Sequence, residues 1–391
     1  MPAAGIDKDF RRGMGLRTAP ADKIKVFHVL ECGDLTGCSR LVASICNGLD
    51  PAQFETAVIY ALRSGATKDA FESQFAPHVR KIHLPDMVRP IFPRKDLAAL
   101  MELNRIFSRE KPDAVHLHSS KAGFLGRFAA RWANVPRIFY SSHGYSFRMT
   151  DASYPARALY FSLELMASQV GEVLVNAPNE LGIAKKFAGA RAHPCYNAIA
   201  VSAFTPRYPD PDEPAPLIAA CGRITAAKNP EAFLRLCAKL AARYPSARFK
   251  WIGAMQTEKD GLRFQDMILK LDLDEKMVLT GWLPPRQAQD EARSCDIIIH
   301  YSKWDVLPTA VLEAMALGKP VIGSAAVDQI IDGKTGYVVF DENALFERAC
   351  WLWDSGALRA SMGRAARAAV EQNYDLPGLI SRLEKFYTGT S

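Results

Sequence analysis

Residues 304–323, WDVLPTAVLEAMALGKPVIG, hold a helix, its stop signal and a buried strand within one short stretch. Pro308 suits a first helical turn, which predicts a helix that starts near Leu307. The body of this helix is rich in good helix formers, and Gly318 followed by Pro320 ends it. The apolar run VIG then predicts a buried strand. A helix that leads directly into a buried strand is typical of α/β proteins with parallel sheets.

Two acidic residues flank the start of this predicted helix. Asp305 lies just outside its N-terminus, whereas Glu313 lies about one turn or more inside it. The free N–H groups of the first helical turn form an anion site between the two acids. This arrangement favours a polyhydroxylated phosphate ester as the ligand.

The same alternation of strands and helices extends along the chain, beginning with the strand-like run IKVFHVL at 24–30. A proline-rich segment at 204–215, FTPRYPDPDEPA, interrupts it and has the composition of a linker. We therefore predict an α/β protein of two tandem Rossmann-like domains, 1–205 and 206–391, each a doubly wound parallel sheet facing an interdomain cleft. A helix at about 373–391 is a candidate to pack back on the N-terminal domain.

The composition is that of an ordinary globular protein, with 49% hydrophobic and 23% charged residues. The first twenty or so residues lack the apolar core of a signal peptide, and no run of about 18 apolar residues indicates a membrane span. We therefore expect a cytoplasmic protein. The eight cysteines show no C-x-x-C pair and are expected to be mostly buried thiols, with no metal site among them.

The positive charge is concentrated in the N-terminal half. Residues 1–200 carry 26 Lys and Arg against 18 Asp and Glu, whereas the remainder carries 23 against 24. The segment 80–148 is the most basic, and the cations that we select from it are Arg89, Arg94, Lys95 and Lys121. Such a patch is suited to anionic lipid headgroups on the inner face of the membrane or to a phosphorylated acceptor. Solvated helix faces remain the alternative, and nucleic acid is not expected as a partner.

Chemically reactive side chains follow several predicted strands. In CGRITAAKNPEAF, Arg223 follows a strand and Lys228 precedes a helix, so the pair suits a diphosphate or forms two solvated loop charges. His143 ends the strand in RIFYSSHGYSF, where a lone histidine is more often locally hydrogen-bonded than catalytic. Gly37 precedes a helix and is either a turn glycine or a site of close phosphate approach. Neither G-x-G-x-x-G nor a Walker pattern occurs.

These residues resemble the glycosyltransferase family 4 group, whose fold is called GT-B. The second half carries a strand ending in Gly-Arg, a Lys-Asn several positions later, and DVLPTAVLEAMALGKPVI in place of a Glu-x7-Glu segment. The following IIDGKTGYVV is also typical of the family. The first half resembles it more loosely, through KPDAVHLHSSKAGFLGRFAAR and YSSHGYSF. The former phrase is similar to bacterial enzymes that assemble exopolysaccharide or capsule repeat units on a lipid carrier.

The resemblance implies a donor-binding set that consists of Gly37, Arg223, Lys228, Leu307, Thr309 and Glu313. The two cations and the N–H groups at the helix start would hold the donor diphosphate. Glu313 would accept hydrogen bonds from the ribose hydroxyls of the nucleotide. Gly37 would let the diphosphate approach the backbone.

The resemblance also implies two catalytic residues. His143 would contact the donor sugar from the N-terminal domain, and Asp305 would stabilise the positive charge that develops on the sugar. Asp305 stands where the family has a glutamate, so its carboxylate is roughly 1 Å shorter in reach, and the preferred donor sugar is expected to differ.

The predicted function is therefore retaining, metal-independent transfer of a sugar from a nucleotide diphosphate sugar of UDP or GDP type, with no cofactor. The expected acceptor is a polyprenyl diphosphate-linked saccharide in bacterial surface polysaccharide synthesis. Two alternatives remain open from the sequence. One is a nucleotide-sugar epimerase of the same fold, and the other is a non-catalytic partner subunit, which the departure at Asp305 allows.

Overall fold

The computed structural model describes residues 23–390, apart from residues 36, 64, 89, 150, 151, 213, 214 and 256. These residues form two β-sheets, and strands alternate with helices in both. The first sheet has seven strands and the second has six, and every pair of neighbouring strands in them is parallel. The predicted α/β class with two tandem parallel sheets is confirmed.

The N-terminal sheet has the strand order β3-β2-β1-β4-β5-β6-β7. Its strands are β1 (Ile24–Gly33), β2 (Phe54–Leu62), β3 (Arg80–His83), β4 (Ala114–His118), β5 (Arg137–Ser141), β6 (Glu172–Val175) and β7 (Ala192–Pro194). The helices between them are α1 (Gly37–Gly48), α2 (Lys68–Glu72), α3 (Pro93–Glu110), α4 (Ser120–Trp132), α5 (Tyr154–Ala167) and α6 (Pro178–Ala188). The central strand β1 is an almost fully buried run, as expected for a parallel sheet that is covered on both faces.

The C-terminal sheet has the strand order β10-β9-β8-β11-β12-β13. Its strands are β8 (Ile218–Cys221), β9 (Phe249–Ile252), β10 (Met277–Leu279), β11 (Ile297–His300), β12 (Val321–Ser324) and β13 (Gly336–Val339). Its helices are α7 (Pro230–Arg243), α8 (Glu258–Lys270), α9 (Pro285–Ser294), α10 (Thr309–Ala316), α11 (Glu342–Asp354) and α12 (Gly356–Asn373), and α13 (Leu376–Thr388) ends the chain. Across the described ranges, no helix combines the length and apolarity that a bilayer crossing requires.

Both sheets reverse their winding direction beside their first strand. In the N-terminal sheet β1 lies between β2 and β4, and in the C-terminal sheet β8 lies between β9 and β11. The connections on the two sides of each such point diverge, which leaves a crevice at the carboxyl ends of the strands. Ligand-binding residues are therefore expected after β1 and β4 and after β8 and β11.

The last helix returns to the N-terminal domain. In α13, Leu379, Leu383 and Tyr387 are buried in one cluster with Val26 of β1. The Tyr387 hydroxyl lies 2.7 Å from Nδ1 of His116 in β4. The C-terminal helix therefore completes the core on one face of the N-terminal sheet.

This contact generates a stability prediction. Tyr387→Phe keeps the ring but removes the hydroxyl that lies against His116, so a buried ring nitrogen loses its partner. We expect the free energy of unfolding to fall by about 1 kcal/mol, measured as a lower urea midpoint. Tyr154→Phe makes the same chemical change on a side chain that is 83% exposed, and it should not shift the midpoint. Equal midpoints for the two variants would contradict the role given to Tyr387.

Candidate active site

The two domains approach each other through the loops that follow their central strands. A side chain on Gly37 would place its Cβ 3.2 Å from Oγ1 of Thr309, and one on Gly144 would meet the Trp304 ring at 3.0 Å. Both glycines therefore permit a close approach between the domains. Arg40 of α1 reaches across as well, since its Nη2 lies 3.4 Å from Oε1 of Glu313.

The C-terminal side of this cleft carries a charged cluster centred on Asp305. Its Oδ2 lies 2.5 Å from Nζ of Lys228 and 2.8 Å from Nε2 of His300. The Ser302 hydroxyl is a third donor to the same oxygen, at 3.3 Å. The structure thus brings together two residues that lie 77 positions apart in the sequence, Lys228 and Asp305.

The environment of Asp305 keeps it ionised. Burial by itself would raise the pKa of the Asp305 carboxyl, but the charge of Lys228 and the hydrogen bond from His300 outweigh burial and hold that pKa well below its usual range. Burial and the nearby Lys228 charge both lower the pKa of His300. At neutral pH the cluster is therefore a carboxylate paired with one ammonium group and hydrogen-bonded to a neutral imidazole.

Helix α10 begins at Thr309, two residues later than the sequence predicted. The reason is that Leu307 has a positive φ of 42°, outside the helical region, and Pro308 is the extended N-cap residue. Asp305 stabilises this turn because its Oδ1 accepts a hydrogen bond from the Val306 N–H at 3.1 Å. The N–H groups of Leu307 and Thr309 donate to no other residue within the described ranges. Both groups lie at the start of the helix, where the anion site was predicted.

Glu313 lies on α10 and faces the other domain. Its side chain is 24% exposed. Burial raises the pKa of its carboxyl, and the Arg40 guanidinium acts in the opposite direction. Glu313 is therefore a half-buried acid that a cation from the N-terminal domain helps to keep charged.

Arg223 and Lys228 both lie after β8, as predicted. The Arg223 side chain is exposed, whereas Lys228 ends a short 3-10 helix, Ala226–Lys228, and turns toward Asp305. The residue that precedes the following helix, α7, is Asn229. Asn229 adopts a left-handed backbone with a φ of 51°, and its side chain makes no capping hydrogen bond.

The N-terminal side of the cleft presents His143. Its φ of 47° is unusual for a residue other than glycine, and its N–H donates to Oδ1 of Asn176 at 3.1 Å. The Glu180 carboxylate holds the same loop by accepting hydrogen bonds from Oγ of Ser142 and from the Tyr145 N–H. On the ring of His143, Nε2 lies 3.0 Å from Nδ1 of His118. The strained backbone is thus held on both sides of His143 by buried polar groups.

Only part of the predicted basic patch is exposed. Arg94 and Lys95 are exposed at the start of α3. The Lys121 side chain, in contrast, is only 9% exposed, and its Nζ lies 2.5 Å from Oδ1 of Asp96. Lys121 is therefore a paired, largely buried cation, which corrects its assignment to the exposed patch. Arg89 lies outside the described residues.

Sequence reasoning did not select several residues of this site, namely Arg40, His118, His300 and Ser302. Two of them carried a usable signal, because His118 and His300 are the last residues of β4 and β11. These strands flank the winding reversals, where ligand-binding residues collect. Arg40 follows Gly37 by three positions on the same helix, but nothing in the sequence indicates that it reaches Glu313.

Comparison with known proteins identifies relatives of both halves. Residues 35–203 match the family model "Glycosyltransferase Family 4", and residues 205–369 match "Glycosyl transferases group 1". A relative from Escherichia coli is named UDP-Gal:alpha-D-GlcNAc-diphosphoundecaprenol alpha-1,3-galactosyltransferase. It is 28% identical over 322 residues, which cover 77% of this chain and 79% of the relative.

Solved structures share the two-domain architecture. The sucrose-phosphate synthase from Thermosynechococcus elongatus superposes with a TM-score of 0.79 at 17% identity, covering 94% of this chain and 99% of that chain. Anabaena HepE in complex with UDP-glucose gives a TM-score of 0.75 at 16% identity, covering 94% of this chain and all of its own. These similarities confirm the fold that was predicted from the sequence.

The Asp305 cluster generates a pH-dependent prediction. Because the pKa of Asp305 is lower in the folded state than in the unfolded state, its pairing stabilises the fold above about pH 4 and is lost as the pH falls. Asp305→Asn leaves the Lys228 charge unpaired. We expect it to lower the urea midpoint at pH 7, at a cost of about 1 to 2 kcal/mol, and this deficit should shrink toward pH 3.

Asp266→Asn is the matched control, since that carboxylate pairs with Lys270 on an exposed helix face. Its effect should be small at both pH values. A deficit for Asp305→Asn that does not change with pH would contradict the electrostatic origin assigned to it.

Proposed function

Because the chain belongs to the glycosyltransferases of family 4 and group 1, with the GT-B fold, we propose that it moves a sugar from a UDP-sugar to a polyprenyl diphosphate-linked saccharide. The observation that carries this proposal is the position of the Lys228–Asp305 pair. The pair lies beside the open N-terminus of α10, and His143 lies on the opposite side of the cleft. Family membership favours transfer over the epimerase and the non-catalytic subunit that the sequence left open.

The proposed donor site follows the charges of the cleft. The cations Arg223 and Lys228 and the N–H groups of Leu307 and Thr309 would hold the diphosphate, since ammonium, guanidinium and helix N-terminal N–H groups all donate to phosphate oxygens. Glu313 would accept the ribose hydroxyls. One structural neighbour, Anabaena HepE, is described in complexes with UDP and with UDP-glucose, which supports UDP as the nucleotide.

The proposed reaction breaks the bond between the anomeric carbon and the diphosphate oxygen. The acceptor hydroxyl oxygen forms the new bond on the same face of the sugar, and its proton passes to the leaving diphosphate. The Asp305 carboxylate is suited to stabilise the positive charge that develops on the sugar, because it is held ionised in a largely buried position. The chain's own cations would stabilise the leaving group, so the proposed reaction uses no metal.

The proposed acceptor places the enzyme at a membrane surface. The E. coli relative is named for an acceptor on diphosphoundecaprenol. At the start of α3, the exposed Arg94 and Lys95 lie next to exposed apolar side chains, with Phe92 at 51% and Leu97 at 59% exposure. Basic residues among exposed apolar ones are typical of surfaces that bind anionic bilayers. We propose peripheral binding through this α3 surface.

The donor site is tested by calorimetric titration of the protein with UDP and with GDP in the presence of EDTA. We expect UDP to bind with a micromolar dissociation constant and GDP to bind more weakly. Glu313→Ala should weaken UDP binding by roughly tenfold or more, because the ribose hydroxyls lose a charged acceptor. Glu371→Ala, which removes a half-exposed glutamate of the same domain, is the control and should bind UDP normally. Equal affinity of Glu313→Ala and the wild type would overturn the donor site.

The reaction itself is tested with UDP-galactose and GlcNAc-diphosphoundecaprenol, again in EDTA. Release of UDP together with a product whose new linkage is α by proton NMR supports retaining, metal-independent transfer. A β linkage or a requirement for added metal would refute that part of the proposal. UDP release without acceptor would indicate hydrolysis instead.

The membrane proposal is tested with vesicles of phosphatidylglycerol. Arg94→Glu with Lys95→Glu should reduce vesicle binding by at least about tenfold, because each cation near an anionic surface contributes about 1 kcal/mol. UDP affinity should remain unchanged. Lys259→Glu with Lys270→Glu makes the same charge change on α8 of the other domain and serves as the control. Undiminished binding of the α3 variant, or equal binding to neutral phosphatidylcholine vesicles, would exclude this surface.

A further inference from the structure

A row of three histidines extends from the cleft into the N-terminal sheet. His143 at the cleft contacts His118 through Nε2 and Nδ1, which lie 3.0 Å apart. The other nitrogen of His118, Nε2, lies 3.1 Å from Nδ1 of His28 on β1. At the inner end, Nε2 of His28 is buried and has no hydrogen-bond partner among the described residues. Each of the two contacts therefore shares one proton between two rings.

His116 belongs to the same buried cluster but not to this row. The Ser141 hydroxyl donates to the Leu174 carbonyl at 2.9 Å, so it must accept from Nε2 of His116, which lies 2.9 Å away. Nδ1 of His116 is then the acceptor for the Tyr387 hydroxyl. One nitrogen each from His28, His116 and His118 lie within 4.8 Å of one another, a spacing suited to a metal ion. His116, however, has no free lone pair to offer a metal, because both of its nitrogens are engaged.

The buried end of the row determines the direction of its protons. Burial lowers the pKa of His28 to about 3, that of His143 to about 4 and that of His118 far below its usual value, so each ring is neutral and carries one N–H. If the protons pointed inward, Nε2 of His28 would be a buried N–H without an acceptor. If the protons point outward, Nε2 of His28 is an unprotonated nitrogen with an unpaired acceptor lone pair. An unpaired buried donor is rarer and costlier in proteins than an unpaired acceptor, so the outward direction is favoured.

We propose that His28 and His118 are positioning residues that hold His143 as its Nδ1–H tautomer and present this N–H to the donor sugar. In this arrangement His28 Nδ1–H donates to His118 Nε2, and His118 Nδ1–H donates to His143 Nε2. The second nitrogen of His143, Nδ1, makes no hydrogen bond to another described residue. The inference rests on the proposed function for the identity of the ligand, but not for the tautomer.

The position of His143 indicates how this tautomer would contact the donor sugar. The next residue, Gly144, packs against Trp304 and Val306, which flank Asp305 in the other domain. A sugar bound beside Asp305 would therefore lie close to His143. An N–H fixed in direction by two buried rings can hydrogen-bond a sugar hydroxyl oxygen without reorganisation when the transition state forms.

The tautomers are tested by NMR on the full chain labelled with ¹⁵N-histidine, without ligand and at pH 7. Correlations between ring nitrogens and ring carbon-bound protons distinguish a protonated nitrogen from a bare one. We expect Nδ1–H for His28, His118 and His143, and Nε2–H for His116. The chain has eight histidines, so single substitutions assign the signals. His143 observed as the Nε2–H tautomer would overturn the proposal whatever the enzyme transfers.

The functional consequence is tested with three variants of β4. His118→Phe preserves a ring but removes the donor to His143, and His118→Asn places an amide donor near the position of Nδ1. His116→Phe is the matched control, since it makes the same change two residues away on the same buried strand face. We expect His118→Phe to lower kcat/KM for the UDP-sugar by about tenfold or more, His118→Asn to restore most of it, and His116→Phe to leave it near the wild-type value.

The stoichiometry of UDP binding, measured by calorimetry on each variant, gives the fraction of correctly folded protein. The affinity for UDP should be unchanged in His118→Phe, because UDP lacks the transferred sugar. Equal kcat/KM for His118→Phe and His116→Phe, after correction for that fraction, would overturn the positioning role. Failure of the wild type to transfer sugar would refute the proposed function, and the NMR result would still decide the tautomer.

Discussion

The constraint on which the site depends is the parallel pairing of every strand in both sheets. Parallel strands end at the same edge, so each domain gathers its loops and helix N-termini there. The winding reverses beside β1 in one domain and beside β8 in the other, which opens one crevice in each. The two crevices face each other, and the contacts of Gly37 with Thr309 and of Arg40 with Glu313 close the space between them.

The two sides of the cleft present different kinds of binding group. The C-terminal side is charged, since Asp305 and Lys228 form an ion pair beside the open N-terminus of α10. On the N-terminal side the histidines are uncharged, because burial keeps His143 and His118 neutral, whereas Arg40 supplies a charge that pairs with Glu313. Charge is suited to a diphosphate and to developing positive charge, whereas directional hydrogen bonds are suited to the hydroxyl pattern of a sugar. A nucleotide sugar carries both kinds of group, which agrees with glycosyl transfer.

Helix α13 is hydrogen-bonded to the buried polar cluster through His116, which lies outside the histidine row. It covers the N-terminal sheet, and the hydroxyl of its Tyr387 lies 2.7 Å from Nδ1 of His116. Through Tyr387 and Ser141 the tautomer of His116 is determined independently of the cleft. The buried polar cluster is thus divided into two separate hydrogen-bonded chains. One chain stabilises the packing of α13, and the other ends at the cleft.

The sequence by itself determined the fold class, and it selected Lys228 and Asp305 as candidate site residues. Strand and helix periods are local patterns, and Lys228 and Asp305 lie immediately next to the elements that position them, so short-range reasoning reached both. Only the tertiary structure decided that Lys121 is buried against Asp96, and that His28, His118 and His143 lie in a row. These contacts join residues that are about 25 to 90 positions apart, and no local pattern encodes the register that brings β1 beside β4. Burial and pairing of polar groups depend on that register, so the tautomers and charges of the site follow from the fold and not from any one segment.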